Sequence, residues 1–209
     1  MALEQWFMVI ILPLGAYALG SIPSGLMVTR VFLRSDIRQQ GSGNIGATNV
    51  RRTAGNLPAL LTLAGDVLKG ALPVWLAQAL VPAGPSVWIG AYWSLVALCA
   101  FGGHLYPLYL KGRGGGKGVA TTAGILLALS PAALVVALLV FVAAACTFNR
   151  VSVASLLATG TLPLIIWKTT QSPVFCVWAI LTFVLIAVRH RDNLMRLVRG
   201  GEPRIWPGA

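Results

Sequence analysis

Three separated segments hold the groups that could handle a phosphate. Residues 41 to 52 read GSGNIGATNVRR, with Ser42, Asn44, Thr48 and Asn49 among three glycines, followed by Arg51 and Arg52. Glycines let backbone N–H groups approach an oxyanion closely, the hydroxyls and amides add neutral hydrogen bonds, and a guanidinium grips phosphate with a planar fork. Residues 103 to 122, GHLYPLYLKGRGGGKGVATT, run through Gly114, Gly115, Gly116, Lys117 and Gly118 into a helical stretch, Val119 to Leu129. A glycine-rich turn there would offer helix N-terminal N–H groups and the positive end of the dipole, with Lys117 adding a charge and Thr121 a hydroxyl. The turn departs from the nucleotide-binding loop, since Lys111 replaces its first glycine and Gly118 its magnesium-holding Ser/Thr. Phosphate binding without ATP hydrolysis is the expectation.

The third segment, RHRDNLMRLVRG at 189 to 200, brings His190, Asn193 and Arg196 near one helical face. Asp192 could orient an arginine or the histidine. In RVSVAS, residues 150 to 155, Ser152 or Ser155 could reach a site or cap the next helix. Each segment also has a plain reading: a polar loop that fixes topology, a flexible hinge, a basic tail. His104 reads as a helix-end hydrogen-bonding residue rather than a catalyst.

The elements that must carry these segments are apolar. The chain has 209 residues, 57% of them hydrophobic and 10% charged, with a mean hydropathy of +0.80. Soluble domains carry roughly 25% charged residues, so the composition predicts an all-α integral membrane protein. Apolar runs at 6–29, 54–82, 88–108, 117–129, 131–147, 153–167 and 173–189 predict about seven transmembrane helices, some short or broken. The first run has Glu4 and no basic residue ahead of it, and reads as a retained helix rather than a signal peptide. No linker or repeat divides the chain, so 1–209 reads as one polytopic domain.

Net charge is +11, and fourteen of the sixteen Lys and Arg fall after the first, third, fifth and last runs. The opposite loops, around Pro82–Ser86, Ser130-Pro131 and Lys168–Pro173, contain one lysine. The positive-inside rule then places the N-terminus outside and the C-terminus in the cytoplasm. Basic residues in short loops do not suit nucleic acid. Cys99, Cys146 and Cys176 stand singly in apolar runs, which suggests neither a disulfide nor a metal site.

Taken together, GSGNIGATNVRR, DVLKG, GHLYP, GGKGVAT and RHRDN, in this order, resemble the bacterial acyl-phosphate:glycerol-3-phosphate acyltransferases over nearly the whole chain. The resemblance implies a multi-pass enzyme of the bacterial cytoplasmic (inner) membrane, active at its cytoplasmic face. It implies acyl transfer from acyl phosphate to the 1-position of glycerol 3-phosphate, without cofactor or metal. It also implies an upstream enzyme that forms the acyl phosphate. Carried over residue by residue, it marks Ser42 and Arg52 with Asn44 and Thr48, then Gly115, Gly116, Lys117, Gly118 and Thr121, then His190 and Asn193. Lys117, Ser42 and His190 are the expected catalytic residues; the others, with Ser155, are the expected substrate contacts. Asp192 stands where the family has Glu, and LKGRGGGK is one residue longer than the usual stretch.

The same polar inventory would also suit a transporter of organic phosphate. Such a protein should carry polar groups at mid-membrane in both halves, and only Asp66 and Lys69 come close; they are expected to pair or to support a motif. No Ser-His-Asp or cysteine nucleophile is evident, so direct attack on the activated acyl group is favoured over an acyl-enzyme. Either His190 or the donor's own phosphate could accept the proton.

Overall fold

The computed structural model describes residues 3–81, 84 and 86–206, with side chains from Met8 onward. The side chain of Glu4 and most of the loop expected at Pro82–Ser86 lie outside the described residues. Among the described residues there are helices and no strands, and they form two compact units, residues 1–129 and 130–209.

The first unit holds α1 (Leu3–Gly20), α2 (Ser24–Leu33), α3 (Ala47–Ala54), α4 (Asn56–Leu80), α5 (Val87–Leu105) and α6 (Val119–Leu129). Lipid offers no hydrophobic drive between helices, so close packing must hold them together. Small residues provide it. Ala16, Ala77, Val96 and Ala100 form one buried cluster, and α1 lies so close to α5 that a Cβ on Gly20 would strike the Ala100 carbonyl. The α4–α6 contact is equally tight, with Gly70 against the Thr121 carbonyl and Gly124 against that of Val67. Leucines 60, 61, 63, 68, 72 and 76 of α4 are exposed, the face a bilayer would cover.

The second unit holds α7 (Pro131–Phe148), α8 (Val151–Gly160), α9 (Leu162–Thr170), α10 (Pro173–Arg189) and α11 (Arg191–Val198). Ser130-Pro131 and Ser172-Pro173 start α7 and α10, with each serine accepting an N–H three residues on, from Ala133 and Phe175 at 3.3 Å. Pro163 at the start of α9 breaks the continuation of α8, and the two helices meet at 41°.

Among the described residues, four spans are long and apolar enough to cross a membrane, at Met8–Leu33, Asn56–Leu80, Val87–Leu110 and Pro131–Phe148. The count reaches six if the bent pairs α8–α9 and α10–α11 each cross once. The seventh expected span is α6, whose 11 residues reach about 16 Å against a hydrocarbon core of about 30 Å. The protein is all-helical and multi-pass.

Candidate active site

The first glycine-rich loop is built around a side chain that the sequence gives no special weight. Asn49, buried in the first turn of α3, accepts the Ser42 N–H at 2.9 Å. It also donates to the carbonyls of Gln40 and Asn44, at 3.0 and 2.9 Å. These three bonds fold the loop back onto α3 and leave the Ser42 side chain exposed between Gly41 and Gly43, both at positive φ. Asn44 works locally as well: its side-chain oxygen accepts the Gly46 N–H at 2.9 Å, shaping the turn into α3. Thr48 and Arg52 are exposed and four residues apart on α3, whose N-terminus has no side-chain cap.

The second loop is shaped by its fit against α5. A Cβ on Gly115 would strike the Leu105 carbonyl, one on Gly116 the His104 ring, and one on Gly118 the Phe101 ring. The Gly116 N–H also bonds to the His104 carbonyl at 3.1 Å. Gly118, at φ +89°, turns the chain into α6 and accepts the Thr122 N–H at 2.8 Å. The glycines therefore serve the loop's seat on α5 as well as any approach to a ligand. Ahead of them, Lys111, Gly112 and Gly114 all take positive φ in an exposed turn. Lys117 is partly exposed just before α6, whereas Thr121 is fully buried at the α4–α6 contact and faces the interior.

The two loops meet within the first unit. Leu110 packs on the cluster of Leu26, Ile37, Ile45, Val50 and Ala59 beneath the first loop. Arg38 lies between them, with its carbonyl 3.0 Å from a Cβ position on Gly43 and its Cδ 3.4 Å from one on Gly114. Its guanidinium is committed to Asp36, whose carboxyl that hydrogen bond holds at about 2. Arg52 and Lys117 are further basic residues that the two motifs carry, the first on α3 and the second just before α6.

In the second unit the organising acid is Glu202, not Asp192. Asp192 is exposed and lies 3.5 Å from Arg191 at the surface. Glu202 is buried, accepting from Asn193 Nδ2 at 2.7 Å and Arg196 Nε at 3.0 Å. Asn193 and Arg196 do share a face, as their spacing predicts. Burial alone would raise the Glu202 carboxyl, but the bonds from Asn193 and Arg196 outweigh it and hold it below the usual range. Asn149 secures the tail by accepting the N–H groups of Ile205 and Trp206 at 3.0 and 2.9 Å. Glu202 could have been found as one of only five acids, yet it lies beyond the helix pattern.

His190 caps α11, and its Nδ1 sits 2.8 Å from the Ile186 carbonyl. A carbonyl can only accept, so Nδ1 carries the proton and Nε2 is the acceptor of the neutral ring. Ser155 is buried on α8. Ser152, one turn earlier, is the serine associated with Glu202.

Glu202→Gln keeps the shape but removes the charge that Arg196 faces. Thermal unfolding in detergent should show a loss of roughly 1–3 kcal/mol. Because the folded carboxyl titrates below its ordinary value of 4.5, this stabilisation is present above that value and is lost as pH falls below it. Unchanged stability at neutral pH would show that the carboxylate does not anchor the tail.

A family model for glycerol-3-phosphate acyltransferase matches residues 10–200. The chain belongs to that family. A glycerol-3-phosphate acyltransferase from Syntrophotalea carbinolica is 44% identical over 93% of this chain and 96% of its own, and one from Trichlorobacter lovleyi 42% over 91% and 94%. Two crystal structures of PlsY, an integral membrane glycerol 3-phosphate acyltransferase, superpose with TM-scores of 0.86 and 0.83 at 33% identity, covering 94% of each chain. They are its glycerol 3-phosphate and lysophosphatidic acid forms.

Proposed function

We propose that this chain transfers an acyl group from acyl phosphate to the 1-hydroxyl of sn-glycerol 3-phosphate, giving lysophosphatidic acid and phosphate. The observation that carries this reading is the meeting of two glycine-rich loops in one unit, each next to a basic residue of its motif, Arg52 and Lys117. Both substrates bear a phosphate, and the donor's apolar chain suits a protein with lipid-covered faces.

The glycerol O1 attacks the acyl carbonyl carbon, the bond from that carbon to the phosphate oxygen breaks, and phosphate departs. Acyl phosphate is already a mixed anhydride, so binding supplies proximity. Lys117 and the α6 N-terminal N–H groups stabilise charge on the departing phosphate. Ser42 and Arg52, with Thr48, hold a substrate phosphate at the first loop, and Asn44 shapes that loop. His190 and Asn193 bind the acceptor, and the proton of the attacking hydroxyl passes to the leaving phosphate. His190→Gln should then raise the KM for glycerol 3-phosphate while the shape of the pH–rate profile stays. Loss of a limb from that profile would make His190 the base instead.

The reading extends to the membrane. The whole chain serves as one catalytic domain with seven crossings, α6 being a short one, and the active site faces the cytoplasm. Its basic loops fit an N-terminus outside the inner membrane of a bacterium. An upstream enzyme that couples acyl groups to phosphate supplies the donor.

Purified full-length protein in detergent, given acyl phosphate and glycerol 3-phosphate, tests the reaction. Phosphate release that requires both substrates is expected. Folded protein that releases none, yet moves organic phosphate across vesicles, would overturn it in favour of transport.

A further inference from the structure

Asp66 and Lys69 lie midway along α4, a membrane-spanning helix, where ionisable side chains are costly and are retained for function. Both are buried and lie 2.8 Å apart. Lys69 Nζ also donates at 2.8 Å to the carbonyl of Ile22, in the break between α1 and α2. Asp66 has a second neighbour, the buried His104 near the end of α5, whose Nδ1 lies 3.7 Å from the same carboxylate oxygen. The far side of that ring points at the glycine-rich loop, because a Cβ on Gly116 would collide with Nε2. The main chain joins the two places as well, through Gly116 N–H to His104 carbonyl at 3.1 Å.

We propose that His104 is a positioning residue for the transfer reaction: the Asp66–Lys69 pair holds the imidazole, and the imidazole sets the height of the loop at Gly116 and so of Lys117. The proposal rests on the reading that this loop handles a substrate phosphate. A bare hydrophobic contact under Gly116 would not need a carboxylate and an ammonium inside a membrane helix. The carboxylate flanks the ring on its Nδ1 side, and Lys69 pairs with that carboxylate and ties it to the α1–α2 break.

The test is a double-mutant cycle on the full-length enzyme, measuring kcat, KM and thermal stability for His104→Ala, Gly116→Ala and both together. His104→Ala should lower kcat/KM by roughly 10- to 100-fold, the scale expected when a catalytic group shifts by about 1 Å, mostly in kcat. Gly116→Ala should do similar damage alone and add less than about threefold in the His104→Ala background, because the methyl then fills vacated space. His104→Gln, which reaches toward the Nε2 position, should recover part of the loss. Asp66→Asn/Lys69→Met removes both charges without orphaning either, and decides the matter if His104→Ala does not fold: lower kcat is expected.

Additive losses, normal kcat in folded His104→Ala, or full activity in the charge-free double variant would overturn the proposal. Lys117→Ala separates the two levels. If it is harmless, the reading of the loop itself fails; if it is inactive while His104→Ala is normal, only the positioning role fails.

Discussion

Lys117→Ala is expected to lose turnover by about 30- to 1,000-fold while staying folded. The residue is partly exposed at the entry to α6, beside Gly116 and Gly118, both buried against α5. Removing its side chain therefore empties no core position. What goes is one charge-assisted contact to a phosphate that gains charge as it leaves, worth roughly 2–4 kcal/mol in a partly desolvated site. Steady-state kinetics on detergent-purified protein, with its unfolding temperature measured alongside, gives the answer. Near-normal kcat would mean that the loop cradles no reacting phosphate, and loss in step with unfolding would make Lys117 structural.

Arg52→Ala should cut kcat/KM by about 100-fold, and Arg51→Ala by less than about threefold. The two are adjacent, exposed and equally charged, so diffuse attraction for an anion would treat them alike. The helix does not. Arg52 follows Asn49 by three residues and Thr48 by four, which puts it on the side where the Ser42 loop is tied down. Arg51 follows Asn49 by two, a spacing that does not put the two side chains together. Arg52→Lys keeps the charge without the bidentate fork, so it should remain clearly impaired. Equal effects at 51 and 52 would reduce the first loop to a patch of positive charge.

Helix positions were legible in the sequence wherever one strong local signal acted. The serine–proline pairs at 130 and 172 mark two helix starts, and apolar runs mark the spans. At α6 the apolar run marks the helix, but hydropathy measures what a segment tolerates and not how far its 11 residues reach. The site was legible as a set of motifs but not as a mechanism of assembly. Glycines 115, 116 and 118 look like ligand-approach residues in a one-dimensional reading, yet each also meets a specific group of α5. Those partners lie at 101, 104 and 105, and only the folded chain brings them under the loop. Glu202 escaped for a related reason: Asn149 and the tail around it are far apart in sequence and meet through the turn after α7. Asn49 was visible as a polar loop residue, but only its three bonds show it as the hub.

The Asp66–Lys69 pair also bears on how the chain enters its membrane. Both charges sit on one helix, three residues apart. Each alone would cost about 2.5–3.5 kcal/mol at the centre of an inserting segment. Spaced by one turn, they can neutralise each other as soon as α4 coils, before α1 or α5 is at hand. Partners on different helices would have left each segment to cross with a bare charge. Biogenesis and catalysis thus draw on the same two side chains: the pair first lets α4 partition into lipid, and afterwards supports His104.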